Sequence, residues 1–479
     1  MAARTNRGAL QGLLGDLNPW WTDARWAETD LDLAAARGSG LGYQADALRD
    51  LHPGGLYVLR GPRRVGKTVA TKQLVSSLLA DGVPEGSIVR VAVDGWPLRD
   101  LQTVIRRLPL PVLPEGARRH WVIDEITGVD GDWASEIKWL RDNVTEFGAA
   151  TVVVTGSDAA ALTAAIGRWA GRRGEVTERD RTLLPMGFRR FVDLVAPRHP
   201  TNVPRLSLVD IHSSLAADLY GSLLGWVGHL SRMWRLYLAY GGFPRSVAAA
   251  KQGKAIPADF VDDIFDVIFR DAFADSRLSK ADASSLVERV MEGMASPLNA
   301  TSIADDIAAH PTTVARHLAY LRNAYLTWAC PQRSEAGWAA LPKAQSKVYA
   351  VDSIVARVPY LRNDARHDVD PTILSEMMLG MAIRRAAIAS GREWDGDDFL
   401  FYQRTPTGKE IDFVSPLLGG NAVEGKFTDG RWRRDAITVN ASEWHGIMAT
   451  ESVLDIETGA SRDKAWAVPA GLLAYLIDL

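Results

Sequence analysis

A single cysteine, Cys330, occurs in 479 residues, so neither an intrachain disulfide nor a cysteine-based zinc site can form. The nine histidines show no HExxH or comparable paired spacing, which leaves them as scattered surface or core imidazoles. No apolar run reaches the length of a membrane helix. The opening residues, Met1 to Leu17, carry Arg4 and Arg7 but no continuous apolar stretch and no small-residue cleavage site. The expectation is a cytoplasmic protein without a signal peptide. A formal charge of −3 excludes a global positive field, so any DNA contact must come from a local patch. Repeats at solenoid periods and low-complexity linkers are absent as well. Nearly half the residues are apolar and about a quarter charged, the balance of a globular chain with several cores.

What is present begins with a Trp-rich entry, Asn18-Pro19-Trp20-Trp21 and Trp26, in an N-terminal segment 1–50. Short apolar runs then alternate with helical spacing: Leu56 to Arg60, Ser87 to Asp94, His120 to Asp124 and Thr151 to Thr155 read as strands. The helical stretches between them include Val69 to Ala80 and Trp133 to Asn143. Alternation of this kind predicts an α/β fold, a parallel sheet with helices on both faces. It stops near Pro185.

Gly61-Pro62-Arg63-Arg64-Val65-Gly66-Lys67-Thr68 fits G-x-x-x-x-G-K-[ST] and lies between a strand and a helix that opens near Val69. Glycine lets the backbone curl so that N–H groups face phosphate oxygens, and the helix adds its positive end. Lys67 supplies charge to the β- and γ-phosphates, and the Thr68 hydroxyl can bind Mg²⁺. The strand His120 to Asp124 ends in two carboxylates. Asp124 suits Mg²⁺ held through water, and Glu125 suits polarisation of an attacking water, so hydrolysis of ATP is expected. At the end of the next strand, Thr155 or Ser157 is a γ-phosphate sensor, or Ser157 is an ordinary helix cap. Arg168, Arg172, Arg173, Arg179, Arg181, Arg189 and Arg190 offer an arginine finger or a solvated basic face. Tyr240-Gly241-Gly242-Phe243-Pro244-Arg245 is a helix break in which Pro244 or Phe243 could touch adenine; locally it is a tight turn.

Farther on, Thr301 to Ala308 and Val314 to Leu326 read as a helix-turn-helix, followed by a wing near Lys343 to Asp352. Arg316, His317 and Tyr320 are expected on the polar side of the second helix, and Val314, Leu318 and Leu321 on the core side. DNA contact and protein contact are both open for it. Strands at Phe399 to Gln403, Glu410 to Val414 and Ala422 to Phe427 close the chain. Asp412, Glu424 and Lys426 there form a D…ExK set with Glu376 as a fourth member: two carboxylates able to share Mg²⁺ and a lysine for developing phosphate charge. Glu136-Ile137-Lys138 is an equally good E-x-K, read as helix surface.

In order, these pieces resemble a group of prokaryotic AAA-like, STAND-related ATPases. The resemblance is carried by Arg60 to Thr68, Val122 to Ile126, Thr155 to Ser157, Leu183 to Phe191 and Tyr240 to Pro244. It implies a P-loop ATPase core at 51–200, a helical lid at 201–280, a winged helix at 281–355 and a PD-(D/E)XK nuclease-like domain at 356–479. It also implies Pro244 near the adenine, and a last domain of unsettled function. ATP and Mg²⁺ are the expected cofactors; DNA and a second copy of the chain are candidate partners. Two readings follow: nucleotide state controls a DNA-directed nuclease-like domain, or a signalling or scaffold ATPase carries a non-catalytic nuclease-like binding module.

Overall fold

In the first sheet, strands β1 (Leu56–Arg60), β2 (Ile88–Ala92), β3 (His120–Asp124), β4 (Thr151–Gly156) and β5 (Asp180–Thr182) stand in the order β2-β3-β4-β1-β5. Every neighbouring pair is parallel. Leu56, Val58, Val89, Val91, Ile123, Val152 and Val154 share the core on one face, and Tyr57, Leu59, Val122 and Val153 are buried on the other, so the sheet is covered on both faces. This computed structural model describes residues 7–273, 279–307, 309–362, 367–392, 394, 396, 399–406, 408–456 and 464–478. Residues 1–6, part of the leader reading, and Ala308 lie outside that set. The chain divides into two units, Met1–Leu184 with Asn323–Tyr325, and Pro185–Arg322 with Leu326–Leu479.

The N-terminal segment is part of the first unit's core. Leu10 and Leu14 of helix Arg7–Leu17 join the sheet cluster, and Trp20, Trp26 and Leu33 pack with Val75 and Ile88. Edge strand β2 would otherwise offer unpaired backbone groups. Asn18 takes both from Arg90: its Oδ1 accepts the Arg90 N–H at 2.6 Å and its Nδ2 donates to the Arg90 carbonyl at 2.9 Å. The Trp20 and Trp21 indoles both donate to the Ile88 carbonyl, at 3.2 and 2.9 Å. At the other edge, the buried Arg173 guanidinium ties the Leu56 carbonyl to the Asp180 carboxylate, at 3.2 Å and 2.8–2.9 Å.

The second unit opens with helices, among them Val227–Tyr240, Pro244–Gln252 and Ala258–Phe273. Helices Lys280–Glu292, Ala300–Asp306 and Pro311–Asn323 follow, then an antiparallel ribbon of β6 (Thr327–Cys330) and β7 (Lys347–Ala350). On helix Pro311–Asn323 the buried positions are Val314, His317 and Leu321. His317 therefore belongs to the core side, not the polar side expected for it, and burial lowers its pKa to about 4. Leu318 is half-buried.

The last sheet holds β8 (Phe401–Arg404), β9 (Glu410–Val414), β10 (Asn421–Gly425), β11 (His445–Thr450) and β12 (Ala465–Pro469) in the order β12-β11-β10-β9-β8. The β8-β9-β10 part is antiparallel and the β10-β11-β12 part parallel. Helix Pro371–Ala389 lies against it; a Cβ on Gly380 would meet the Phe413 ring at 2.5 Å, so glycine sets that approach. Arg385 of this helix pairs with the fully buried Asp478 at 2.7 Å, and Asp478 also accepts the Phe188 N–H at 2.7 Å. Among the described residues no helix is long and apolar enough to cross a membrane.

Candidate functional site

The loop after β1 turns on left-handed residues: Gly61 at φ 151°, Arg64 at φ 67° and Gly66 at φ 101°. A Cβ on Gly61 would lie 2.0 Å from the Leu183 carbonyl oxygen, so only glycine fits where the chain leaves the strand. Pro62 and Val65 are buried, Arg63, Arg64 and Thr68 exposed, Val69 half-buried. Helix Lys67–Ala80 starts on Lys67 itself. The Lys67 ammonium is buried at the hub of the loop, donating to the carbonyls of Gly61 at 2.8 Å and Pro62 at 3.0 Å. Burial lowers its pKa, and the carboxylates of Glu125 and Asp124 act in the opposite sense.

Those two carboxylates stand at the tip of β3, held differently. Asp124 Oδ2 is paired with the buried Arg90 guanidinium of β2 at 2.5 Å, and Oδ1 accepts from Thr155 Oγ1 of β4 at 2.6 Å. With both oxygens engaged, Asp124 suits Mg²⁺ through water, and Thr68 offers the hydroxyl; this oxygen-only donor set fits the ion. Glu125 takes a left-handed conformation at φ 57°. Its N–H donates to Thr155 Oγ1 at 2.8 Å. Its Oε1 accepts from Ser157 N–H at 3.0 Å, Ser157 Oγ at 2.7 Å and Thr127 Oγ1 at 2.9 Å. Thr155 is thus a strut between the strand tips, and Ser157 is the clasp on Glu125. Oε2 carries none of these bonds.

Several arginines of the candidate finger set are engaged nearby: Arg168 with Asp132, Arg172 with Asp142, Arg173 with Asp180 and Arg181 with Glu178. Pro244 occupies the first turn of helix Pro244–Gln252. The glycines before it are explained within the second unit. A Cβ on Gly241 would meet the Asp352 carboxylate at 2.0 Å, and one on Gly242 the Met186 carbonyl at 2.1 Å.

In that unit Asp412 and Glu424 stand opposite one another at the end of the β9–β10 pairing, which runs Ala422 to Val414 and Val423 to Phe413. Beyond it each carboxylate replaces a ladder bond: Glu424 Oε2 accepts the Asp412 N–H and Asp412 Oδ2 accepts the Gly425 N–H, both at 3.0 Å. Strand β10 ends at Gly425, so Lys426 lies past the expected alternation; its ammonium still reaches Glu424 Oε1 at 2.7 Å. Glu376 comes in from helix Pro371–Ala389, whose backbone a Cβ on Gly425 would strike at 3.0 Å. Burial, then the neighbouring Asp412 charge, raises the pKa of Glu376 to about 8 and of Glu424 to about 7. Glu136 of the competing E-x-K is buried on helix Trp133–Asn143 and paired with Arg106.

Sequence reading missed Arg90, Lys347 and Tyr349. Lys347 Nζ lies 2.9 Å from Asp412 Oδ1 and 3.3 Å from Glu376 Oε1, and the Tyr349 hydroxyl donates to Glu376 Oε1 at 2.6 Å. The available signal was a lysine at an inward position of an otherwise apolar strand, two residues before the tyrosine.

Residues 54–192 match the family model described as an AAA domain. Residues 231–360 match a second model, a domain of unknown function. The chain is also similar to the Walker-type ATPase of Pyrococcus abyssi, at 12% identity over 64% of this chain and 90% of that one, TM-score 0.36. A RuvB variant of Thermotoga maritima aligns at 15% identity over 68% and 94%, TM-score 0.27. The Aeropyrum pernix ORC2 protein aligns at 12% over 63% and 88%, TM-score 0.31. No curated protein matches. The AAA match, with the parallel sheet and the loop at its strand tips, supports an AAA-like P-loop ATPase.

Proposed function

We propose that this chain binds and hydrolyses ATP with Mg²⁺, Lys67 and Thr68 holding the phosphates and the ion, Asp124 orienting the ion's water, and Glu125 polarising the attacking water. The observation that carries the reading is the convergence at one end of the sheet: a buried ammonium inside a curled glycine loop after β1, within electrostatic reach of two carboxylates at the tip of β3, one strand removed. Release of Glu125 Oε1 from Ser157 and Thr127 would let the carboxylate swing toward the water, so the clasp is a resting arrangement of the base. Pro244 on the adenine, a winged helix over 281–355 and an arginine finger extend the proposal from the family resemblance.

In one version nucleotide state controls a DNA-directed C-terminal domain in which Asp412, Glu424 and Lys426 cut DNA with a metal. A second version, a signalling or scaffold ATPase with a non-catalytic nuclease-like module, is favoured by one observation: the Lys347 ammonium sits against Asp412. Incubating the full chain and ATP with single- and double-stranded DNA in Mg²⁺ or Mn²⁺ separates them. Intact DNA is the expected result. Cleavage lost in Asp412→Asn would establish the nuclease version.

A further inference from the structure

Two-metal and one-metal phosphodiester chemistry needs carboxylate oxygens converging on a cation at about 2.0–2.1 Å, with water completing a near-octahedral shell. The Asp412–Glu424 pair has the convergence, yet each of its four oxygens is already taken. Asp412 Oδ1 faces Lys347 Nζ and Oδ2 accepts from Gly425; Glu424 Oε1 faces Lys426 Nζ and Oε2 accepts from Asp412. Lys347 is deeply buried, and besides Asp412 and Glu376 it has Glu410 Oε2 at 3.6 Å. Three carboxylates around one ammonium is the charge pattern of a cation site, with the cation supplied by the chain. Among the described residues no group of three or more His, Cys, Asp or Glu side chains is arranged to hold a metal ion.

The lysine arrives from outside the sheet. It is carried by β7 of the ribbon, where it pairs with Cys330 of β6, and Tyr349 from the same face of β7 fastens Glu376 beside it. A divalent ion would have to displace a tethered, buried ammonium, and the displaced charge would be left beside it.

We infer that Lys347 is a built-in cation filling the divalent-metal position among Asp412, Glu376 and Glu410, beside Glu424, so the ribbon strand locks this nuclease-like site in a metal-excluding form. Withdrawal of β7 is then the event that any metal-dependent chemistry here requires. The inference rests on the nuclease-like reading of the last sheet and is independent of the ATPase proposal, because every residue in it belongs to the second unit.

The test counts Mn²⁺ bound to the full chain without nucleotide, from the free-ion electron paramagnetic resonance signal, for the natural chain, Asp412→Asn, Lys347→Met and the Lys347→Met/Asp412→Asn pair. The natural chain and Asp412→Asn should bind the same number. Lys347→Met should gain one ion, and the double variant should lose it again. An ion on the natural chain that disappears in Asp412→Asn overturns the inference, whatever the Lys347 variant does. A Lys347→Met chain with natural circular dichroism and no gained ion overturns it too. If that variant does not fold, the comparison of the natural chain with Asp412→Asn decides.

Discussion

Asp352 takes backbone partners from two directions, accepting the Gly242 N–H at 2.7 Å and the Ile354 N–H at 2.9 Å. It is fully buried, and burial raises its pKa from 3.8 to about 6 against the opposing pull of those N–H groups and Arg385. A carboxyl whose folded pKa is raised contributes stability that is complete below the unfolded value and is lost as pH rises through the folded one. Between about pH 4 and pH 6, unfolding free energies from denaturant titration should therefore shift in favour of Asp352→Asn relative to the natural chain, by up to roughly 1.4 kcal/mol per pH unit, and level off above. A difference that moves the other way would contradict the raised value. At the phosphate loop, Lys67→Ala removes the buried ammonium, and titration with ATP should show a loss of affinity of roughly ten- to hundredfold, the scale of one buried charged hydrogen-bond partner. Unchanged affinity would remove the loop from the nucleotide site. Lys67, Thr68, Asp124 and Glu125 were legible because motif spacing names them, while Arg90 was not. Nothing local marks an arginine on an edge strand as the partner of an acid on the next strand.

At the scale of elements, the fully buried strands were the easy ones. Leu56 to Arg60 and His120 to Asp124 coincide with β1 and β3, because a continuous apolar run bounded by glycine or charge has few alternatives. Strand β5 escaped notice: Asp180-Arg181-Thr182 has no apolar signal and is a strand because it pairs with β1 beside the Arg173–Asp180 tie. The Ala422 to Phe427 run ends early as a strand, since Phe427 turns into the left-handed region at φ 39°. The Gly241-Gly242 break is likewise set by distant partners, the Asp352 carboxylate and the Met186 backbone, which exchanges a 2.8 Å bond from its N–H to the Gly242 carbonyl. Gly242→Ala should cost roughly 1–3 kcal/mol in chemical denaturation, the range for overpacking against rigid backbone. A cost near zero would mean the Met186 segment yields freely.

Over the whole molecule, no linker marks the division into units, but the strand–helix alternation stops near Pro185, where the second unit begins. The N-terminal segment, with its tryptophans, looked like an entry to the first domain and turned out to be the cover of its edge strand. The back half was harder. Its site draws Glu376, Lys347, Asp412 and Glu424 from a helix, a ribbon and a sheet, residues far apart in sequence, and only the acids and Lys426 follow a recognisable spacing. The central claim concerns the front half: Glu125 is the water-polarising base of an ATPase, held at rest by Ser157 and Thr127. The direct measurement is ATP affinity and steady-state phosphate release for Glu125→Gln beside the natural chain. The account predicts affinity within a few-fold of natural and release slower by roughly 10²–10⁴-fold, the usual contribution of a general base. Phosphate release at the natural rate in a variant that still binds ATP would contradict it.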